Sequence, residues 1–189
     1  DSELPTLRRR FWIATSLHRD PNNYVYYGSR DGQFIGLWRY SAQDAEMRLK
    51  LDPTQPRTIQ PFSGIDGALQ AGKREETVYE PRQRPWYQAG QRIDHQTWTS
   101  IYVDFRTKEL VATRARRVLD AQGQFQGVVA TDVSLRALDE FVRSLKVSAN
   151  GFAFIVEPDG KLIAASNAPN LVRKADGSVE EQNPKPLGV

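Results

Sequence analysis

The order of signals along this sequence predicts an α+β fold, an antiparallel sheet flanked by helices. Hairpin turns recur at Ser29-Arg30-Asp31-Gly32, Asp120-Ala121-Gln122-Gly123 and Pro158-Asp159-Gly160, each between runs of strand-forming residues. Helical periodicity stands before the first hairpin and after the second. Strands that follow one another through tight turns pair antiparallel, because parallel neighbours need a crossover of about a dozen residues or more.

Leu4, Leu7, Phe11, Ala14 and Leu17 or His18 recur at helical spacing. Pro5 falls where a first turn tolerates it and Asp20-Pro21-Asn22-Asn23 ends the pattern, predicting a helix from Leu4 to Arg19. Tyr24 to Tyr27 and Phe34 to Tyr40 read as an aromatic-rich hairpin. Residues 51–75, rich in Pro, Gly, Gln and Thr, read as a long loop with at most short helical turns; such loops are usually functional. Pro85 opens a short helix through Trp86, Tyr87 and Ala89 that Gly90 is expected to end. Thr97 to Phe105 alternates as a strand does, and Leu110 to Leu119 with Phe125 to Val133 form a second hairpin. Ser134 stands to cap a helix with the apolar stripe Leu135, Leu138, Phe141, Val142 and Leu145. A third hairpin, Phe154-Ile155-Val156 with Leu162-Ile163-Ala164, follows that helix and reads as the start of a second module. The expected divisions are an N-terminal helix at 1–23, a first module at 24–150, and an incomplete second module at 151–189 with too few residues for a core of its own.

Composition narrows the function classes. Hydrophobic residues make up 39% and charged residues 26% of the 189, the balance of a folded globular chain. The longest apolar run, Phe152 to Val156, is strand-sized and well short of the about 18 residues that cross a bilayer. No signal-peptide pattern opens at Asp1, so the anchors of a membrane-bound parent are expected outside this sequence. Cysteine is absent, and His18 and His95 lie far apart without metal-ligand spacing; no metal and no cofactor is expected. The net charge of +3 is small. Arg8-Arg9-Arg10 and Arg114-Ala115-Arg116-Arg117 lack interleaved aromatic platforms, so they read as solvated faces rather than a nucleic-acid site. No nucleophile–base pairing or paired carboxylates speak for an enzyme.

Chemistry concentrates in Tyr79, Arg84, Trp86, Tyr87, Tyr102 and Asp132. Arg offers a rigid fork for a carboxylate, and Trp and Tyr add N–H and O–H donors. An aspartate with aromatic faces suits a primary ammonium, cation–π attraction contributing about 0.5–2 kcal/mol. A zwitterion matches this inventory; a phosphate does not, since no Gly-rich cradle accompanies it. The same residues also admit a plain structural role: Trp86 and Tyr87 in the core, Arg84 in a surface ion pair, Asp132 at a strand end.

The run Tyr79 to Tyr87 (YEPRQRPWY), followed by Ile101 to Asp104 (IYVD) and Gly127 to Val133 (GVVATDV), resembles the double Cache sensor domains of bacterial transmembrane receptors. The resemblance extends over about Tyr24 to Ser166, and the short N-terminal helix departs from the family's long stalk. It implies two PAS-like modules, the membrane-distal one holding ligand, in a periplasmic domain of an inner-membrane protein. Within the family the sequence is most similar to the amino-acid-binding subset. That likeness implies Tyr79, Arg84 and Trp86 for the ligand carboxylate and Tyr87, Tyr102 and Asp132 for its α-amino group. It further implies signalling to a chemoreceptor, histidine kinase or diguanylate cyclase output. Two alternatives keep the fold: a sensor of a biogenic amine or other small polar molecule, and a ligand-free module that dimerises through the N-terminal helix.

Overall fold

A computed structural model of the chain describes residues 3–17, 23–105, 107–148, 150–173 and 179–181. Its contacts divide into two units, Asp1–Thr99 with Thr113–Val133, and Ser100–Ala112 with Ser134–Val189.

In the first unit, α1 spans Leu4–Thr15 with Pro5 in its opening turn. It stops short of Arg19. The Thr15 hydroxyl donates to the Phe11 and Trp12 carbonyls at 3.0 and 2.9 Å, and the Ser16 hydroxyl to Trp12 at 2.8 Å. Such back-bonding competes with a further helical turn. The buried face carries Phe11, Trp12 and Thr15, while Leu17, expected inside, is exposed. His18 lies outside the described residues.

The strands β1 (Asn23–Ser29) and β2 (Phe34–Arg39) form the expected hairpin, closed by Gly32 at φ 88°. β3 follows at Asp44–Lys50. Two strands then lie inside the stretch read as a loop, β4 (Thr58–Ser63) and β5 (Lys73–Arg74). A proline within β4 hid it. β5 pairs with Thr58 and Ile59, and at Pro61 the strand is met by the Gln70 N–H, which donates to the Pro61 carbonyl at 2.9 Å, a contact that needs no N–H from the proline.

A single 3₁₀ turn at Pro81–Gln83 leads into α2 (Pro85–Arg92). Gly90 lies within this helix instead of ending it. A Cβ there would stand 2.5 Å from Val128 Cγ1, so the glycine serves close packing of helix on sheet. β6 (Thr97–Trp98) and β7 (Tyr102–Val103) are short pieces of the longer strand expected. The long strands β8 (Leu110–Leu119) and β9 (Phe125–Ser134) turn at Gly123, φ 77°. The first unit's sheet runs in the order β5-β4-β3-β2-β1-β9-β8-β6.

Both faces of that sheet are covered. On one, Ile35, Leu37, Ala45, Met47, Leu49 and Phe62 pack with Phe11 and Trp12 of α1 into the apolar core. The register Tyr24↔Trp38, Tyr26↔Gly36 and Gly36↔Arg48 puts Tyr24, Tyr26, Trp38, Glu46, Arg48 and Lys50 on the other.

In the second unit, β7 pairs with Leu110 and Val111. The Ser134 hydroxyl accepts the Arg136 N–H at 3.2 Å at the start of α3 (Arg136–Ser144). Of the stripe expected on α3 only Val142 is fully buried, and Phe141 is exposed. β10 (Phe154–Val156) and β11 (Leu162–Ala165) form a two-stranded sheet, as do β12 (Leu171–Arg173) and β13 (Val179–Glu181). Glu157 ties the hairpin to the Ser100 hydroxyl at 2.6 Å.

Candidate functional site

Five of the six candidate residues lie in the first unit: Tyr79, Arg84, Trp86, Tyr87 and Asp132. Tyr102, half-buried in β7, belongs to the second.

Pro85 starts α2 one residue after Arg84, whose carbonyl accepts the Tyr87 and Gln88 N–H groups at 3.1 Å. The helix thereby drives the adjacent Trp86 and Tyr87 rings inward, and both are buried. Trp86 reaches the sheet because position 28 is glycine; a Cβ there would stand 2.9 Å from its Cη2. The Trp86 indole N–H donates to the Tyr79 hydroxyl at 3.1 Å. The Tyr87 hydroxyl donates to the Ser29 carbonyl at 3.1 Å, which leaves its oxygen's role as an acceptor. Burial, reinforced by neighbouring Tyr27, pushes the Tyr87 phenol up to about 12, so it stays protonated at neutral pH. Burial likewise raises the Tyr79 phenol, against the pull of the Arg57 guanidinium.

Asp132 of β9 is buried and accepts two short hydrogen bonds on Oδ1, from the Tyr26 and Thr113 hydroxyls, both at 2.6 Å. The Tyr26 ring in turn meets Trp86 edge-on at 4.8 Å. A continuous path therefore runs Tyr79–Trp86–Tyr26–Asp132. It joins the motif at α2 to the aspartate on β9, though they lie far apart in sequence.

Tyr26 and Thr113 were not among the candidates, and neither were three buried cations on the same face. Arg57, Arg48 and Lys50 are only 2%, 3% and 1% exposed. Arg57 grips Glu75 through two bonds of 2.7 and 2.8 Å and lies 3.8 Å over the Tyr79 ring. Lys50 donates to the Tyr79 carbonyl at 2.7 Å, and burial lowers its ammonium below the usual lysine range. Tyr79 is thus held at its ring, its carbonyl and its hydroxyl. Its position is set as firmly as a rotamer can be by packing and hydrogen bonds.

His95 is exposed and pairs with neighbouring Asp94 at 3.0 Å. Among the described residues no group of three His, Cys, Asp or Glu side chains could hold a metal, and no helix is long and apolar enough to cross a membrane.

Residues 24–140 match the family model described as methyl-accepting chemotaxis protein-like, first PDC sensor domain. The chain is 37% identical over 87 residues to the chemotaxis protein McpC of Bacillus subtilis, covering 46% of this chain and 13% of that protein. It is 33% identical over 107 residues to PctB of Pseudomonas aeruginosa, covering 57% and 17%. The ligand-binding domain of Mlp24 with asparagine shares its fold, with a TM-score of 0.52 and 21% identity over 88% of this chain and 58% of that one. The chain therefore spans only a small part of the length of its curated relatives. These matches agree with the Cache-type fold and sensing role implied by the motif, and the chain belongs to the methyl-accepting chemotaxis protein-like family of first PDC sensor domains.

Proposed function

We propose that the first unit binds a small amino acid and that the parent protein is a chemoreceptor. The observation that supports this reading is the path from Tyr79 through Trp86 and Tyr26 to Asp132, with Arg84 at the head of α2. Arg84, with the Tyr79 and Trp86 donors, takes the α-carboxylate. Asp132, oriented by Tyr26 and Thr113, takes the α-ammonium alongside the Tyr87 oxygen. The aromatic walls add cation–π attraction and keep water out, which strengthens both ionic contacts. The motif alone speaks for Tyr102 at the ammonium end.

Signalling follows the chemotaxis relatives rather than a cyclase or kinase output. The domain is proposed to be periplasmic, in a protein anchored in the inner membrane. Homodimerisation through α1 draws on its exposed Ile13 and on exposed Leu17 just beyond its end.

A thermal-shift screen of the chain against amino acids, amines, organic acids and nucleobases tests the ligand class. A ligand at about 100 times its Kd stabilises by about 2.7 kcal/mol, a rise of a few degrees in Tm. Shifts with amino acids are expected. Shifts confined to amines would move the reading to the amine class, and no shift with any amino acid would end it.

A further inference from the structure

Two buried arginines on the ligand-facing side of the sheet are treated very differently by their surroundings. Arg57 has a complete bidentate partner in Glu75. Among the described residues, the acceptor that Arg48 meets is a Glu46 oxygen at 3.5 Å, the outer limit of a hydrogen bond, and its buried Nε meets none. A guanidinium out of water and under-satisfied is costly, and such a group calls for a reason.

The surroundings of Arg48 are those of a recognition group. Its guanidinium lies 4.8 Å from the Tyr24 ring and 5.0 Å from the Trp38 ring. Gly36, opposite Arg48 in register, leaves room for Tyr24; a Cβ there would stand 2.7 Å from the tyrosine hydroxyl. The Tyr24 ring is 4.6 Å from that of Tyr26, whose hydroxyl orients Asp132. From β9 through β1 and β2 to β3 is three strand steps of about 4.8 Å each, roughly 14 Å between backbones. The long Arg48 side chain and the Asp132 carboxylate both reach into that span.

Charge on this face points the same way. Arg48, Lys50 and Arg57 are all buried on this face, and Arg57 is matched by the bidentate Glu75 carboxylate. A ligand with a second carboxylate brings negative charge to these cations, whereas a neutral side chain does not.

Resting on the amino-acid reading above, we propose that Arg48 is the specificity residue of this site and that its preferred ligand is an acidic, dicarboxylic amino acid. The side-chain carboxylate meets the Arg48 fork, displaces its weak contact with Glu46 and is held bidentately.

Calorimetric titration of the 189-residue chain with L-aspartate, L-asparagine, L-glutamate and L-glutamine tests this. An acid is expected to bind at least about tenfold more tightly than its own amide, a difference of about 1.4 kcal/mol. In Arg48→Gln that preference is expected to collapse while the amides still bind. Should circular dichroism show Arg48→Gln unfolded, Glu46→Gln decides: removing the competing carboxylate should tighten the acids and leave the amides unchanged. Amides bound as well as acids by the parent, a preference that survives in folded Arg48→Gln, or acids that bind no tighter to Glu46→Gln, would overturn the Arg48 assignment and leave the amino-acid reading intact. Binding of no amino acid at all would overturn both.

Discussion

The two faces of the first unit's sheet are built from the same strands by opposite means. In β3, Ala45, Met47 and Leu49 point to α1, while Glu46, Arg48 and Lys50 point to the other side, and both sets are covered. The α1 face has an apolar core and stabilises the fold through burial, at about 25 cal/mol per Å² of apolar surface. The opposite face collects the charges and hydroxyls, whose desolvation works against folding unless each group is matched. The contrast teaches where to seek function in such a sheet. One face holds the domain together, and the other holds aligned polar groups that the fold alone does not require.

Mutations should separate the two faces. The largest effect is expected at Glu75→Ala, which takes the bidentate carboxylate from the buried Arg57 and should cost about 3–5 kcal/mol by denaturant titration. It should also weaken ligand binding, because Arg57 positions the Tyr79 ring. Leu37→Ala, on the α1 face, should cost a comparable or smaller amount, about 2–5 kcal/mol. Measured on folded protein, its ligand Kd should match the parent. A changed Kd there, or an unchanged one in Glu75→Ala, would break the division between the faces. Tyr26→Phe should have the smallest effect on stability: loss of one hydrogen bond to a charged group, about 1.5–3 kcal/mol. Binding should still fall, since Asp132 then loses the Tyr26 bond that helps to aim it.

Which parts were legible in the sequence follows the same contrast. The Asp-Gly hairpin of β1 and β2 and the long pair β8 and β9 were visible because turn chemistry and strand composition agree there. The Pro85 helix start and the inward Trp86 and Tyr87 were equally visible from the motif. β4 was not, since Pro61 and half-buried polar residues mask its alternation. Nor were Arg48, Lys50 and Arg57 legible as buried residues. Charges that alternate with apolar residues read as a solvated face, and only the chain lying over that side reveals that they are enclosed. The link from Tyr26 to Asp132 spans 106 residues, and no local pattern announces it.

The central claim is that one face of the sheet clamps both ends of a zwitterion, and calorimetric titration of Arg84→Ala and Asp132→Ala against amino acids and primary amines tests it most directly. Removing either partner of a buried charge pair costs about 2–5 kcal/mol, and each 1.4 kcal/mol or so is a tenfold change in Kd. Both variants, shown to be folded by circular dichroism, are therefore expected to weaken a micromolar amino-acid ligand to about millimolar or beyond. Loss of binding in Asp132→Ala alone would identify the ligand as an amine. Both variants binding amino acids as tightly as the parent would contradict the clamp and return Arg84 and Asp132 to a structural role.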